Sequence, residues 1–185
     1  KEGKEPPLRK VSDDEPFSAL VFKIMTDPFV GQLAFFRVYS GQLKSGSSVY
    51  NSTKDSVERI GRLLKMHANE REEIKEVYAG DIAVVAGIEE LSIGDTLCHP
   101  EHREPLPAIK VDEPTISMLF QVNDSPFAGL EGTYVTSRHL RSRLERAALR
   151  DVALILADSD STKDSFEVKG RGVMHLGVLI ENTRR

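Results

Sequence analysis

The sequence has no tryptophan, a single cysteine in 185 residues, and no apolar run approaching the roughly 18 residues of a membrane-crossing helix. Cys98 alone cannot close an internal disulfide, so cross-links are excluded as the source of stability and packing must supply it. A phosphate loop is also missing. The pattern of a glycine, four residues, then Gly-Lys-Ser/Thr cradles phosphates with backbone N–H groups and a lysine. It comes nearest at Gly41–Ser48, where Ser47 stands in place of the lysine. Asn51-Ser52-Thr53-Lys54-Asp55 likewise has the wrong spacing for a guanine-reading Asn-Lys-x-Asp. No nucleotide hydrolysis, no catalytic residue and no cofactor are therefore expected of this stretch of chain itself.

With 39% hydrophobic and 29% charged residues the composition is that of a globular chain, and the lone cysteine fits a reducing, cytoplasmic setting. The net charge of −4 argues against nucleic acid only if charge is spread evenly, and it is not. The acidic excess lies in the first half. Residues 113–185 balance acid against base, and there Arg138, Arg141, Arg143, Arg146 and Arg150 crowd one segment.

Residues 1–15, KEGKEPPLRKVSDDE, have almost nothing to bury and read as a linker or disordered lead-in without a secretory signal. From Phe17 onward, short β-type runs alternate with turn signals: SALVFKIM, QLAFFRVY, SSVYNS, RIGRLLKM. Gly80-Asp81 and Gly94-Asp95 each turn the chain into a further strand, IAVVAGI and TLCH. Residues 16–108 thus read as an all-β closed antiparallel barrel. The charged stretch HANEREEIKEV is read as a loop returning to it. Prolines at 100, 105, 107 and 114 mark a connector, with the boundary near Ile109.

Residues 109–185 change pattern. TISMLFQV is a strand, and VTSRHLRSRLERAALR carries Leu140, Leu144 and Ala147 at helical spacing, with Thr136 or Ser137 as the cap. DVALIL and SFEVKG are strands separated by the polar loop DSDSTKD, and VMHLGVLIENTRR is a second helix. The order βαββα predicts an α+β domain of the ferredoxin-like kind, truncated at its C-terminus and lacking its last strand.

The stretches DDEPFSALVFKIMTDPFVGQLAFFRVYSGQLKSGSSVYNS and RIGRLLKMHANEREEIKEVYAGDIAVVAGIEELSIGDTLC resemble the second domain of bacterial elongation factor G. DEPTISMLFQVNDSPFAGLEGTYVTSRHLRSRLER and FEVKGRGVMHLGVLIENTRR resemble the third domain of the translational GTPase TypA, also called BipA. The two likenesses agree on the superfamily. They differ on subfamily, since elongation factor G usually lacks NDSPFAGLEGTYVTSR, and TypA/BipA is the favoured reading. The resemblance implies a fragment without the GTPase domain, cut from a GTP-binding translation factor active in protein biosynthesis. GTP and Mg would belong to the missing domain. Ribosome binding, contacts to small-subunit rRNA and a ribosomal protein, and docking against the parent's own GTPase domain follow in the same way. One departure stands out: Val173 and Met174 occupy positions where the family has Glu and Leu, which removes a charge from a helix N-terminus.

Candidate RNA-binding residues are Arg143, Arg146 and Arg150, which share one helix face at spacings of three and four, together with Lys169 and Arg171. Gly170-Arg171-Gly172 opens a helix and suits an anion; equally, it is a tight strand-to-helix turn. A solvated basic face is the plain alternative for the arginines. Cys98-His99-x-x-His102 lacks the second ligand pair that a structural zinc site needs, so no metal is expected. A freestanding enzyme built on Cys98 or His175, or a protein-interaction module without RNA contact, are the rival functions. In the barrel, Phe35 and Phe36 point to opposite faces of one strand, so one should be buried and the other should meet a neighbouring domain.

Overall fold

The computed structural model describes residues 9–27, 29–68, 70–88, 90–107, 109, 112–130, 132–159 and 164–185. The first part of the expected lead-in, the residues on either side of Ile109 and most of the DSDSTKD loop lie outside these. Contacts divide the chain into two compact units, Lys1–Ile109 and Lys110–Arg185.

The first unit is all strand. It comprises β1 (Ser18–Asp27), β2 (Gly31–Ser40), β3 (Leu43–Lys44), β4 (Ser48–Asn51), β5 (Ser56–Arg59), β6 (Arg62–His67), β7 (Glu70–Ile74), β8 (Glu76–Val77), β9 (Ile82–Ala86) and β10 (Thr96–Cys98). Eight of them form one antiparallel sheet in the order β5-β4-β10-β1-β2-β9-β6-β7, and β3 pairs with β8 in a separate ribbon. The fold is barrel-like: β5 and β7 end the eight-strand order, and the β3–β8 ribbon joins the segment leading into β4 to the one that follows β7. Backbone bonds carry two pairings onward: Gly46 N–H to Ile60 O at 2.9 Å and Ile60 N–H to Ser47 O at 2.9 Å extend the β4–β5 ladder, and Ser45 N–H to Lys75 O at 2.8 Å extends the β3–β8 ribbon. Interruptions of the extended backbone near Gly46 and at Lys75 divide β3 from β4 and β7 from β8.

Two turns of one design position the strands. In Tyr78–Asp81 and Ser92–Asp95 the glycine adopts positive φ, +96° at Gly80 and +95° at Gly94, where a side chain would be strained. The aspartate closes each turn by accepting the N–H of the residue three before it, Tyr78 or Ser92, at 3.0 Å. Each turn then clamps a neighbouring strand: Gly80 and Asp81 bond Val38, and Gly94 and Asp95 bond Val21. Asp95 is 2% exposed and also holds the Asn51 amide at 2.9 Å, with Lys54 Nζ 3.4 Å away.

Apolar side chains fill both faces of part of the sheet. Ala34, Phe36, Leu63, Ala83 and Val85 belong to the main core. Leu33, Leu64, Val84 and Ala86 form a second cluster, joined by Phe35 and Met66. Burial on both faces explains why IAVVA reads as an unbroken apolar run. Phe36 is fully buried as its parity requires. Phe35, on the opposite face, packs in the second cluster, edge-on to Phe22 and beneath Lys23 Nζ at 5.1 Å.

The segment expected to be a loop, HANEREEIKEV, supplies β7 and β8. Glu70, Arg71, Glu72 and Glu73 are all exposed, because β7 ends the sheet beside β6 and only its last residue, Ile74, packs on the core, so the strand shows no alternation. The described residues of the lead-in lie along the barrel: Gly41 N–H donates to Ser12 O at 2.8 Å, Ala79 N–H to Asp13 Oδ1 at 2.9 Å, and Arg9 pairs with Glu104 at 2.9 Å.

The second unit has a three-stranded antiparallel sheet, β11 (Ile116–Gln121), β12 (Ile155–Asp158) and β13 (Ser165–Gly170), in the order β11-β13-β12. Two helices, α1 (Ser137–Arg150) and α2 (Val173–Arg184), complete it. Leu144 from α1 and Leu176 and Leu179 from α2 pack with Phe166 and Val168 of β13, so both helices cover one face of the sheet. The DVALIL strand begins later than its sequence suggests, at Ile155, because Asp151 caps α1 and Ala153 and Leu154 turn on it.

Candidate nucleic-acid interface

Helix α1 starts where Thr136, in an extended conformation, accepts the N–H of His139 at 3.4 Å. Leu144 is fully buried against the sheet, with Leu140 and Ala147 partly so, and this turns the face bearing Arg143, Arg146 and Arg150 toward α2 and solvent. Arg143 reaches across and donates to Asn182 O at 2.7 Å, satisfying a carbonyl near the end of α2. Arg146 is steadied by its own helix, Nε to Ser142 O at 3.1 Å. Arg141 is neutralised: it bonds Glu145 and Asp158, both at 2.9 Å, and lies over the Phe166 ring. Those carboxylates hold its guanidinium charge more firmly, Glu145 first and Asp158 next.

Two hollows flank the α1–α2 seam. One, of about 300 Å³, is lined by Arg143, Arg150, Asp151, His175 and Val178 among others. The second, of about 570 Å³, is lined by Tyr134, His139, Ser142, Arg143, Arg146 and Asn182, with Arg185 at its rim.

The structure brings three of the five candidate residues together and separates the other two. Arg143, Arg146 and Arg150 share the α1–α2 side. Lys169 does not. Phe166 and Val168 face the helices, so Glu167 and Lys169 stand on the opposite, helix-free face, where Lys169 Nζ lies 3.5 Å from Glu167 Oε2. Arg171 sits exposed in the turn from β13 into α2, its backbone fixed by Thr115 Oγ1 at 2.7 Å on its carbonyl and by His175 Nδ1 at 3.1 Å on its N–H. That turn is tight at Gly170, where an added Cβ would stand 2.8 Å from Leu176 Cδ2. The first turn of α2 has no acidic residue and no side-chain cap, and Val173 and Met174 are exposed there at 75% and 82%.

His175 is a brace. Its Nδ1 accepts the Arg171 N–H, so its Nε2 carries the proton and donates to Asp151 Oδ2 at 2.6 Å, joining the end of α1 to the start of α2. Neither ring nitrogen has a lone pair left for a base. Cys98 is fully buried, its Sγ 3.4 Å from Tyr50 O, and burial raises its thiol above the usual range, which disfavours the thiolate. Among the described residues no group of three or more His, Cys, Asp or Glu converges on one point.

Tyr134, His139 and Asn182 were not singled out from the sequence. The available signal was an aromatic residue shortly before a basic helix, the pairing that single-strand binders use; nothing local places Asn182 beside it.

Comparison with known proteins bears on the first unit most directly. Residues 16–100 match the family model described as elongation factor G domain 2. The barrel resembles a translation-factor domain. The solved structure of the Thermus thermophilus protein ttk003000868 is 27% identical, with a TM-score of 0.72 over 92% of this chain. The chain spans 24% of that protein's length. No helix of the described residues is long and apolar enough to cross a membrane.

Proposed function

We propose that this chain is the ribosome-docking and domain-relay part of a GTP-binding translation factor of the TypA/BipA or elongation factor G type. The match of residues 16–100 to elongation factor G domain 2 carries the reading. The second unit supports it. Its strand order β11-β13-β12, with both helices on one face, is that of a ferredoxin-like βαββα unit in which a further strand would lie against β11. GTP and Mg would be bound by a separate domain of a larger cytoplasmic protein, and these residues would not hydrolyse GTP themselves. The buried thiol of Cys98 and the doubly bonded His175 offer an enzyme no nucleophile or base.

Small-subunit rRNA and a ribosomal protein are the partners. Arg143, Arg146 and Arg150 form the principal phosphate-contacting set on α1, while Arg171 and Lys169 make separate contacts from the β13–α2 turn and the helix-free face. The test is a salt titration of binding to small ribosomal subunits. Affinity should fall steeply with salt, and Arg146→Ala should reduce the logarithmic slope by about one. Binding that ignores salt would overturn the RNA contact and favour a protein-interaction module.

A further inference from the structure

We propose that the hollow between Tyr134, α1 and the end of α2 receives one unpaired nucleotide of an RNA strand, its base stacked on Tyr134 and its phosphate held by Arg143 and Arg146. This rests on the RNA-docking reading above and specifies what that surface takes. At about 570 Å³ the hollow falls within the roughly 300–1,000 Å³ range of small-ligand sites. Its chemistry is one-sided: among the described residues its lining includes no Asp or Glu. Its neighbours differ: the hollow at Arg150 contains Asp151, and the one at Arg141 contains Glu145 and Asp158. An anion placed in either meets a carboxylate; here the described lining offers the guanidinium groups of Arg143, Arg146 and Arg185, the last paired with Glu181 at 3.3 Å.

The aromatic component is in place before any ligand arrives. Tyr134 is 77% exposed, an unusual cost for so large a ring, yet it is not loose. His139 packs perpendicular to it at 5.2 Å, and Thr136 Oγ1 fixes His139 through Nδ1 at 3.0 Å. The N-cap of α1 therefore braces the stacking surface. Each guanidinium is oriented by one internal bond, Arg143 to Asn182 O and Arg146 to Ser142 O, out of five available donors. The Asn182 amide and the Ser142 hydroxyl line the same wall and suit the hydrogen-bonding edge of a base. A duplex keeps its bases stacked inside and offers Tyr134 nothing, so the site selects single strands, loops or bulges.

The experiment measures binding of the full chain to a fluorescein-labelled single-stranded oligoribonucleotide, to the same strand annealed as a duplex, and to AMP as competitor. The single strand should bind more tightly than the duplex. Tyr134→Ala should weaken the single strand roughly tenfold and leave the duplex unchanged, while Tyr134→Phe stays within about twofold of the parent. Unaltered melting of Tyr134→Ala, expected for so exposed a residue, confirms that the loss is one of contact. If Tyr134→Ala has no effect while Arg146→Ala weakens both forms equally, the nucleotide site is overturned and the RNA reading survives. If neither RNA form binds, both fall. AMP displacing the strand at comparable concentration would overturn the assignment to RNA in favour of a free nucleotide.

Discussion

The barrel unit and the sheet-and-helix unit place their polar groups in opposite ways. In the barrel, Ser18, Ser40, Asn51, Asp95 and Thr96 are buried, and Asp95 ties the turn at Ser92 to Asn51 in β4. In the second unit only Ser165 is a buried polar residue among those described, and its core cluster is wholly apolar. Its charges lie outside, gathered on α1 and along the α1–α2 seam. A buried polar network fixes register, because each member needs its particular partner. An apolar core beneath a charged surface lets that surface be chosen for binding with little consequence for stability.

Substitutions can break the comparison, beginning with the largest expected effect. Leu144→Ala removes the fully buried contact of α1 with the sheet and should cost about 2–5 kcal/mol in urea unfolding, confined to the second unit's transition. Equal loss in both transitions would show that the units do not unfold separately. Next come the two Gly-Asp turns, which share a backbone and differ in burial. Asp95→Ala leaves the buried Asn51 amide and Ser92 N–H without their acceptor and should cost about 2–3 kcal/mol, whereas exposed Asp81→Ala should cost about 1 kcal/mol or less. Equal melting shifts would refute the view that burial, rather than turn geometry, sets the importance of Asp95.

The smallest effect is an acid one. At the tip of the β1–β2 hairpin, the Phe29 N–H donates to Asp27 at 2.9 Å and Arg71 pairs with the same carboxylate. These partners, the Phe29 N–H foremost, hold its pKa below the ordinary aspartate value. A depressed folded pKa contributes stability that is present above the unfolded value and lost as pH falls through the folded one. Asp27→Asn should therefore flatten the acid limb of the barrel's stability curve below about pH 4 and leave the second unit's limb unchanged. A parallel shift at neutral and acid pH would remove the titration from the explanation.

The barrel strands were legible where a strand has an inside. Short β-type apolar runs bounded by turn signals, with the paired Gly-Asp turns, marked β1, β2, β9 and β10 because each packs against a core. β7 was illegible because in this edge strand only its last residue, Ile74, packs on the core, so no alternation shows and its glutamates looked like a loop. Strand parity put Phe35 and Phe36 on opposite faces without saying which is buried or what lies against the other, and it is Phe36 that is fully buried while Phe35 packs in the second cluster.

For the site, helical spacing placed Arg143, Arg146 and Arg150 on one face, and the Thr136 cap could be read directly. Those are short-range matters, settled by backbone geometry within a few residues. Only the folded chain brought Asn182 and Tyr134 to the same hollow, put Lys169 on the far side of the sheet from α1, and turned His175 into a brace between the helices. Each depends on which residues distant in sequence share a surface, and that is decided by how helices pack on a sheet, a geometry that no local propensity encodes.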